Sequence, residues 1–185
     1  AVKGISFEAY EGEIFGLLGP NGAGKTTTLR MLSTLIKPDS GDALVDGFSV
    51  VKQPEEVRAR IGFLTSELKL EDYFTPNYMY DFFSNLHNVP KDVRDQRKKQ
   101  MCERFGIDQF AEVKIANLST GMKQKVSLVI SIVHDPDIII FDEPTTGLHF
   151  SDIKTLMQAF QRLIFKGHSV VIIEHNMDVV KQADY

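Results

Sequence analysis

The stretch "GPNGAGKTTT", Gly19 to Thr28, decides how the rest of the chain is read. Gly19, Gly24, Lys25 and Thr26 fit the spacing G-x-x-x-x-G-K-[ST]. Glycines let successive backbone N–H groups converge on phosphate oxygens, and the N-terminus of the next helix adds its dipole. A lysine at this spacing reaches the β and γ phosphates, and the hydroxyl after it ligates Mg²⁺. The candidate nucleotide-binding loop is Gly19, Pro20, Asn21, Gly22, Ala23, Gly24, Lys25, Thr26 and Thr27. Its flanks have the periods this chemistry needs. "IFGLL" (Ile14 to Leu18) is apolar enough for a buried strand. From Lys25 the pattern is helical, with Leu29, Leu32 and Ile36 on one face, until "KPDSG" (Lys37 to Gly41) stops it.

A second element answers the first. In "IIIFDEP" (Ile138 to Pro144) an apolar strand ends in two acids. Burial of the strand puts Asp142 at its carboxyl end, beside the loop, where it can hold Mg²⁺ through water. Glu143 can orient or deprotonate an attacking water. Paired acids after an apolar run are common alone; together with the glycine loop they point to phosphoryl chemistry. "LSTGMKQK" (Leu118 to Lys125) opens a helix, and Ser119 and Gly121 lie at an N-terminus able to meet a phosphate. By itself that is an ordinary serine cap.

The remaining segments organise around these. "ISFEAYEGEIFGLLG" reads as strand, turn, strand, with Ile5 and Phe7 alternating against Ser6 and Glu8. "DALVDG" and "FSVV" are short strands, Pro54 to Arg60 a short helix, and "IGFLT" another strand. Residues 73–135 are mostly helical. Thr75 caps a helix with Pro76 at its first position, and Tyr78, Met79, Phe82, Phe83 and Leu86 form an apolar stripe. A polar helix ends at Gly106. Its "RDQRKK" (Arg94 to Lys99) is read as a solvated face, because acids flank it. After the turn "HDPD" and the strand "IIIF" come a loop, a long helix and the strand "SVVIIE". Strands alternate with helices around a helical insertion, an α/β architecture.

Bulk properties agree. The 185 residues suit one domain, 43% hydrophobic and 25% charged, as in soluble globular proteins. A net charge of −4 gives no overall electrostatic case for nucleic acid. The longest apolar runs fall far short of the about 20 residues needed to span a bilayer. The single cysteine, Cys102, makes neither an intrachain disulfide nor a zinc cage and reads as an inert small hydrophobe.

In this order the motifs resemble an ABC-type ATPase, a P-loop NTPase with a RecA-like core and a helical subdomain. Gly19 to Thr26 match its Walker A, Leu118 to Met122 its signature, and Ile138 to Glu143 its Walker B and catalytic glutamate. His175, in "IIEH", matches its switch histidine at the γ-phosphate. The resemblance implies one domain over 1–185, with the core at 1–72 and 136–185 and the helical subdomain at 73–135. It implies ATP and Mg²⁺, with Glu143, His175 and Lys25 catalytic and Thr26 and Asp142 on the metal. It also implies a head-to-tail homodimer in which Ser119 and Gly121 act in trans, and a transmembrane permease partner that holds the chain at the cytoplasmic face of the membrane. From Ala1 to about Thr146 the wording is similar to ATP-binding subunits of bacterial ABC-2-type exporters, especially the sodium-efflux group.

Some positions depart from the pattern. Ser66, followed by Glu67, stands where the family usually has a glutamine, and His149 where it usually has an aspartate. Residues 144–185 are similar to the C-terminal part of UvrA, the DNA-damage-recognition ATPase of the excinuclease, so a hybrid or chimera is an open reading. DNA is a partner only under that reading. The family's adenine-stacking aromatic does not precede "AVKGISF", and its last strands do not follow Tyr185, so a domain trimmed at both ends is expected. A trimmed or chimeric core with no catalysis stays open too.

Overall fold

Alternation inside the apolar runs builds the sheet. The computed structural model describes residues 2–65, 70–145, 150–165, 167–174 and 181. Four parallel strands lie in the order β1 (Ile14–Gly16), β6 (Ser169–Ile173), β5 (Ile138–Asp142), β4 (Ile61–Thr65). In β5, Ile139 and Phe141 pack into one layer and Ile138 and Ile140 into the other; in β6, Val170 and Ile172 oppose Val171 and Ile173 in the same way. Successive side chains of a strand point to opposite faces, so a strand covered on both sides must be apolar throughout. That is why "IIIF" shows no alternation.

Helices cover both faces, because parallel neighbours need crossover connections. On one side lie α5 (Thr120–Ser131) and α6 (Phe150–Phe165), with α3 (Pro76–Leu86) and α4 (Lys91–Phe105) beyond α5. Phe160 of α6 packs on Phe141 with ring centroids 4.4 Å apart. One apolar cluster runs from Ile139 and Val170 through Val126 and Val129 to Met79, Tyr80, Ile107 and Phe110, so the helical segment and the sheet share α5 as their common wall. The other face carries Leu29 of α1 (Lys25–Leu32), Val57 of α2 (Pro54–Arg60), and the hairpin of β2 (Leu44–Val45) and β3 (Phe48–Ser49). That hairpin turns at Asp46 and Gly47, φ 49° and 77°, the two positive dihedrals of a type I′ turn, which Asp-Gly accommodates.

Two local readings change. Residues 5–8 form no strand; Ile5 is exposed, and Phe7 stacks on Phe15 with centroids 5.0 Å apart. Alternation alone does not make a strand when no neighbouring backbone pairs with it. The helix after the glycine loop ends at Leu32 and does not continue to Ile36. Thr34 turns left-handed (φ 61°), and the N–H groups of Leu35 and Ile36 donate back to the Arg30 carbonyl. This closure, with Thr34 N–H donating to the Met31 carbonyl, pairs carbonyls of the last helical turn before the proline is reached.

The other boundaries follow local chemistry. Thr75 accepts from Tyr78 N–H at 3.2 Å with Pro76 in the first turn, and α4 closes on Gly106 at φ 65°. The apolar stripe of α3 divides: Met79 and Tyr80 are buried, while Tyr78, Phe82 and Leu86 face outward. Phe74, Tyr78 and Phe82 stack in sequence, with centroids 4.3 and 6.4 Å apart. Among the described residues, no helix is long and apolar enough to cross a membrane.

Candidate nucleotide site

The glycine loop joins β1 to α1. Gly22 and Gly24 have φ of 79° and 92°, in the region where only glycine sits without strain. At Gly24 an added Cβ would also collide with the Val2 side chain. No side chain caps α1 and no acid lies in its first turn, so its N-terminal dipole is not neutralised locally, which suits an anion. Lys25 is buried, and its Nζ donates to the carbonyls of Gly19 (2.7 Å) and Pro20 (3.1 Å). Thr28 Oγ1 donates to the Gly24 carbonyl at 2.9 Å and locks the first turn.

Asp142 ends β5, 4% exposed. β6 separates β5 from the loop's own strand, β1. Even so, Thr26 Oγ1 donates to Asp142 Oδ1 at 3.1 Å. A hydroxyl and a carboxylate are the hard oxygen donors that Mg²⁺ takes, and it is usually held by one or two protein groups plus substrate phosphates. The residues present fit that ion. Among the described residues, no cluster of three or more His, Cys, Asp or Glu could hold a metal ion.

Glu143 follows Asp142 with φ 53°, left-handed for a non-glycine residue, and its N–H donates to the Ile173 carbonyl at 3.0 Å. Backbone strain of this kind persists where the surroundings fix it, and it concentrates at functional sites. Two more bonds hold the same loop. Gln124 Nε2 of α5 donates to the Pro144 carbonyl at 2.9 Å, and Thr145 N–H donates to Glu174 Oε1 at 2.7 Å. Glu174 is 4% exposed. Sequence reading passed over both side chains. A glutamate closing the buried strand "SVVIIE" was the available signal for one; Gln124 gave none beyond its helix.

Ser119 caps α5, accepting from Met122 N–H at 3.2 Å, and Gly121 is buried in the first turn, which has no acid. Ser119 is thus the serine cap the sequence suggested, at a helix N-terminus still open to an anion. His175, Ser66, Glu67 and His149 lie outside the described residues. Two other histidines stack at the junction of the helical segment and the sheet. The His87 and His134 rings are 4.0 Å apart and 3° from parallel, and His134 Nε2 bonds the Ile61 carbonyl at 2.9 Å. Burial, then the neighbouring His87, push His134 down from 6.5 to about 4. Burial raises Cys102 above the ordinary thiol value, in keeping with an inert residue.

A family model described as ABC transporter matches residues 2–146. The chain is 38% identical over 182 residues to the ABC transporter ATP-binding protein NatA of Bacillus subtilis (strain 168), covering 98% of this chain and 74% of that protein. It is 33% identical to the linearmycin resistance ATP-binding protein LnrL of the same organism, over 97% of this chain and 58% of the relative. It is also 33% identical to the probable multidrug ABC transporter ATP-binding protein YbhF of Escherichia coli (strain K12), over 100% of this chain and 32% of the relative. Among solved structures, cbiO1 from Clostridium perfringens, part of the ABC transporter complex cbiONQ, superposes with a TM-score of 0.87 at 27% identity, covering 100% of this chain and 76% of that one. The ATP-binding subunit of another ABC transporter shares the fold, with a TM-score of 0.88 at 24% identity over 99% of this chain and 77% of that one.

Proposed function

The chain belongs to the ABC transporter family, and from that premise we propose that it hydrolyses Mg·ATP at the site around Lys25, Asp142 and Glu143 to drive export through a transmembrane partner. The observation that carries this reading is the 3.1 Å bond between Thr26 and Asp142, which brings both halves of a phosphate site together from separate strands. The backbone N–H groups of residues 19–27 cradle the phosphates. Lys25 exchanges the Gly19 and Pro20 carbonyls for β and γ phosphate oxygens. Thr26 and Asp142 would hold Mg²⁺, which offsets the negative charge on the phosphates when bound. Glu143 takes the proton of the attacking water as the γ-phosphoryl group passes to it. His175 reads the γ-phosphate.

Ser119 and Gly121 serve the nucleotide of a second copy in a head-to-tail dimer. NatA, LnrL and YbhF carry transport or resistance in their names, and their likeness to this chain supports an export-type system. A permease would place the chain at the cytoplasmic face of the membrane. The outward ladder of Phe74, Tyr78 and Phe82 is apolar surface suited to a partner helix. The finer assignment to sodium-efflux ABC-2-type exporters rests on "AVKGISFEAYEGEIFGLLGPNGAGKTTTLRML" and "RIGFLTSELKLE". The likeness of residues 144–185 to the excinuclease ATPase UvrA, and the DNA partner that goes with it, gain no support. The alignments with NatA, LnrL and YbhF cover 98%, 97% and 100% of the chain, and so continue past Thr146.

The test is Glu143→Gln, which keeps the shape and removes the base. Turnover falls by about 10²–10⁴-fold while nucleotide binding persists, and light scattering gives a dimer with Mg·ATP and a monomer with Mg·ADP. Wild-type turnover in this variant would sink the reading.

A further inference from the structure

The catalytic glutamate sits in a backbone conformation that a glutamate does not choose. With φ at 53°, Glu143 needs its surroundings to hold it. Three hydrogen bonds do so, two from consecutive residues at the end of β6 and one from α5. Its own N–H is fixed by the Ile173 carbonyl at the end of β6 (3.0 Å). The next residue, Pro144, has no N–H, so its carbonyl is its sole backbone hydrogen-bonding group. That carbonyl accepts from Gln124 Nε2 of α5 (2.9 Å). The N–H after it, at Thr145, is held by the Glu174 carboxylate (2.7 Å). Thr145 and Glu174 are both buried, so this charge-assisted bond is shielded from water.

We propose that Gln124 and Glu174 are positioning residues for Glu143: gripping the two polar ends of the Pro144–Thr145 peptide, they set where its carboxylate meets the attacking water. The proposal rests on Glu143 being the general base. Neither side chain supplies a reacting atom. Each fixes a peptide group within two residues of Glu143, and a small misplacement of a catalytic group lowers the rate of the chemical step without weakening ground-state binding. Gln124 achieves this with a donor and Glu174 with an acceptor, so the two sides respond differently to substitution.

Steady-state ATP hydrolysis by the intact chain tests this, with kcat and KM measured separately and folding checked by circular dichroism and denaturant midpoint. Gln124→Met keeps the volume and removes the donor; kcat is expected to fall about tenfold with KM changed less than about twofold. Gln124→Glu places a carboxylate against the Pro144 carbonyl. Its kcat relative to wild type is expected to recover as pH falls and the carboxyl regains a proton to donate. Glu174→Gln keeps an acceptor oxygen and is expected to keep kcat within about threefold, since the hydrogen bond survives without its charge, whereas Glu174→Leu loses kcat. Wild-type kcat in folded Gln124→Met, or a loss confined to KM, overturns the proposal, as does equal loss in Glu174→Gln and Glu174→Leu. If Gln124→Met does not fold, the pH response of Gln124→Glu decides, and a flat ratio to wild type overturns the proposal. Undiminished turnover in Glu143→Gln would instead point to failure of the underlying reading, which keeps the two failures distinct.

Discussion

The Thr26 hydroxyl lies 3.1 Å from Asp142 Oδ1 although the strands leading to the two residues are not neighbours. β6 separates them, yet the first turn of α1 leans across its end to reach β5. Two elements more than a hundred residues apart in sequence thus meet through side chains at the carboxyl edge of the sheet, where open α/β sheets bind ligands. Thr26→Val removes the hydroxyl at nearly constant volume. The rate is expected to fall about 10²-fold and the Mg²⁺ concentration for half-maximal rate to rise, while Thr26→Ser retains most activity. A magnesium titration of both variants checks this; equal loss in Thr26→Ser would argue that Thr26 acts through its methyl group.

Gly62 is the second residue of β4, where a side chain would normally help packing. Its Cβ position is taken by the Ser131 carbonyl at the end of α5 and by the Pro136 ring. The glycine therefore lets the helix end rest directly on β4. Gly62→Ala is expected to cost about 1–3 kcal/mol through overpacking, read as a lower urea midpoint with an unchanged m-value.

The stacked His87 and His134 give a pH dependence with a definite sign. His134 is held near 4 in the fold, mainly by burial, then by His87, with Arg97 also opposing protonation and the Ile61 carbonyl and Asp135 favouring it. Burial lowers His87 as well. The unfolded chain takes up these protons first, so stability is full above about 6.5, declines as pH falls toward about 4, and levels off below that. Before solvent screening His134 alone accounts for at most about 3 kcal/mol, and about 1–2 kcal/mol is expected in practice. His134→Gln keeps a donor for Ile61 and removes the titration. Urea midpoints at pH 7 and pH 5 should differ less in this variant than in wild type; an equal difference would place the effect elsewhere.

The fold was legible where local chemistry and tertiary packing ask for the same residues. "GPNGAGKTTT", "IIIFDEP", Thr75-Pro76 and Gly106 each announce a loop, strand end or cap that the structure contains, whereas "DALVDG", read as a strand, is one only at Leu44–Val45 and turns at Asp46 and Gly47. Ile5 and Phe7 mislead, because alternation records a face without recording a partner strand. The α1 terminus misleads because Thr34 adopts a left-handed backbone that composition does not reveal. At the site, the glycine loop and the acids that end "IIIFDEP" were readable as a pair, and Thr26 and Asp142 do meet. Gln124 and Glu174 were not: their role depends on which helix passes over Pro144 and on where β6 ends, and both are properties of the assembled sheet.

Glu143 permits a test in which backbone and side chain are separated. Both Glu143→Ala and Glu143→Gly remove the carboxylate, so neither should sustain turnover. They differ in what φ 53° costs. At an ordinary position glycine is the less stable of the two by about 0.5–1 kcal/mol, because it loses more backbone freedom on folding. In the left-handed region alanine carries a steric penalty of about 1–2 kcal/mol that glycine escapes. The order is therefore expected to invert, with Glu143→Gly at least as stable as Glu143→Ala and as much as about 1.5 kcal/mol more so. Paired urea denaturation of the two variants measures it. If Glu143→Ala proves clearly more stable, the backbone at this position is not held left-handed in solution, and the three hydrogen bonds around Pro144 would have to be reassigned to a different loop geometry.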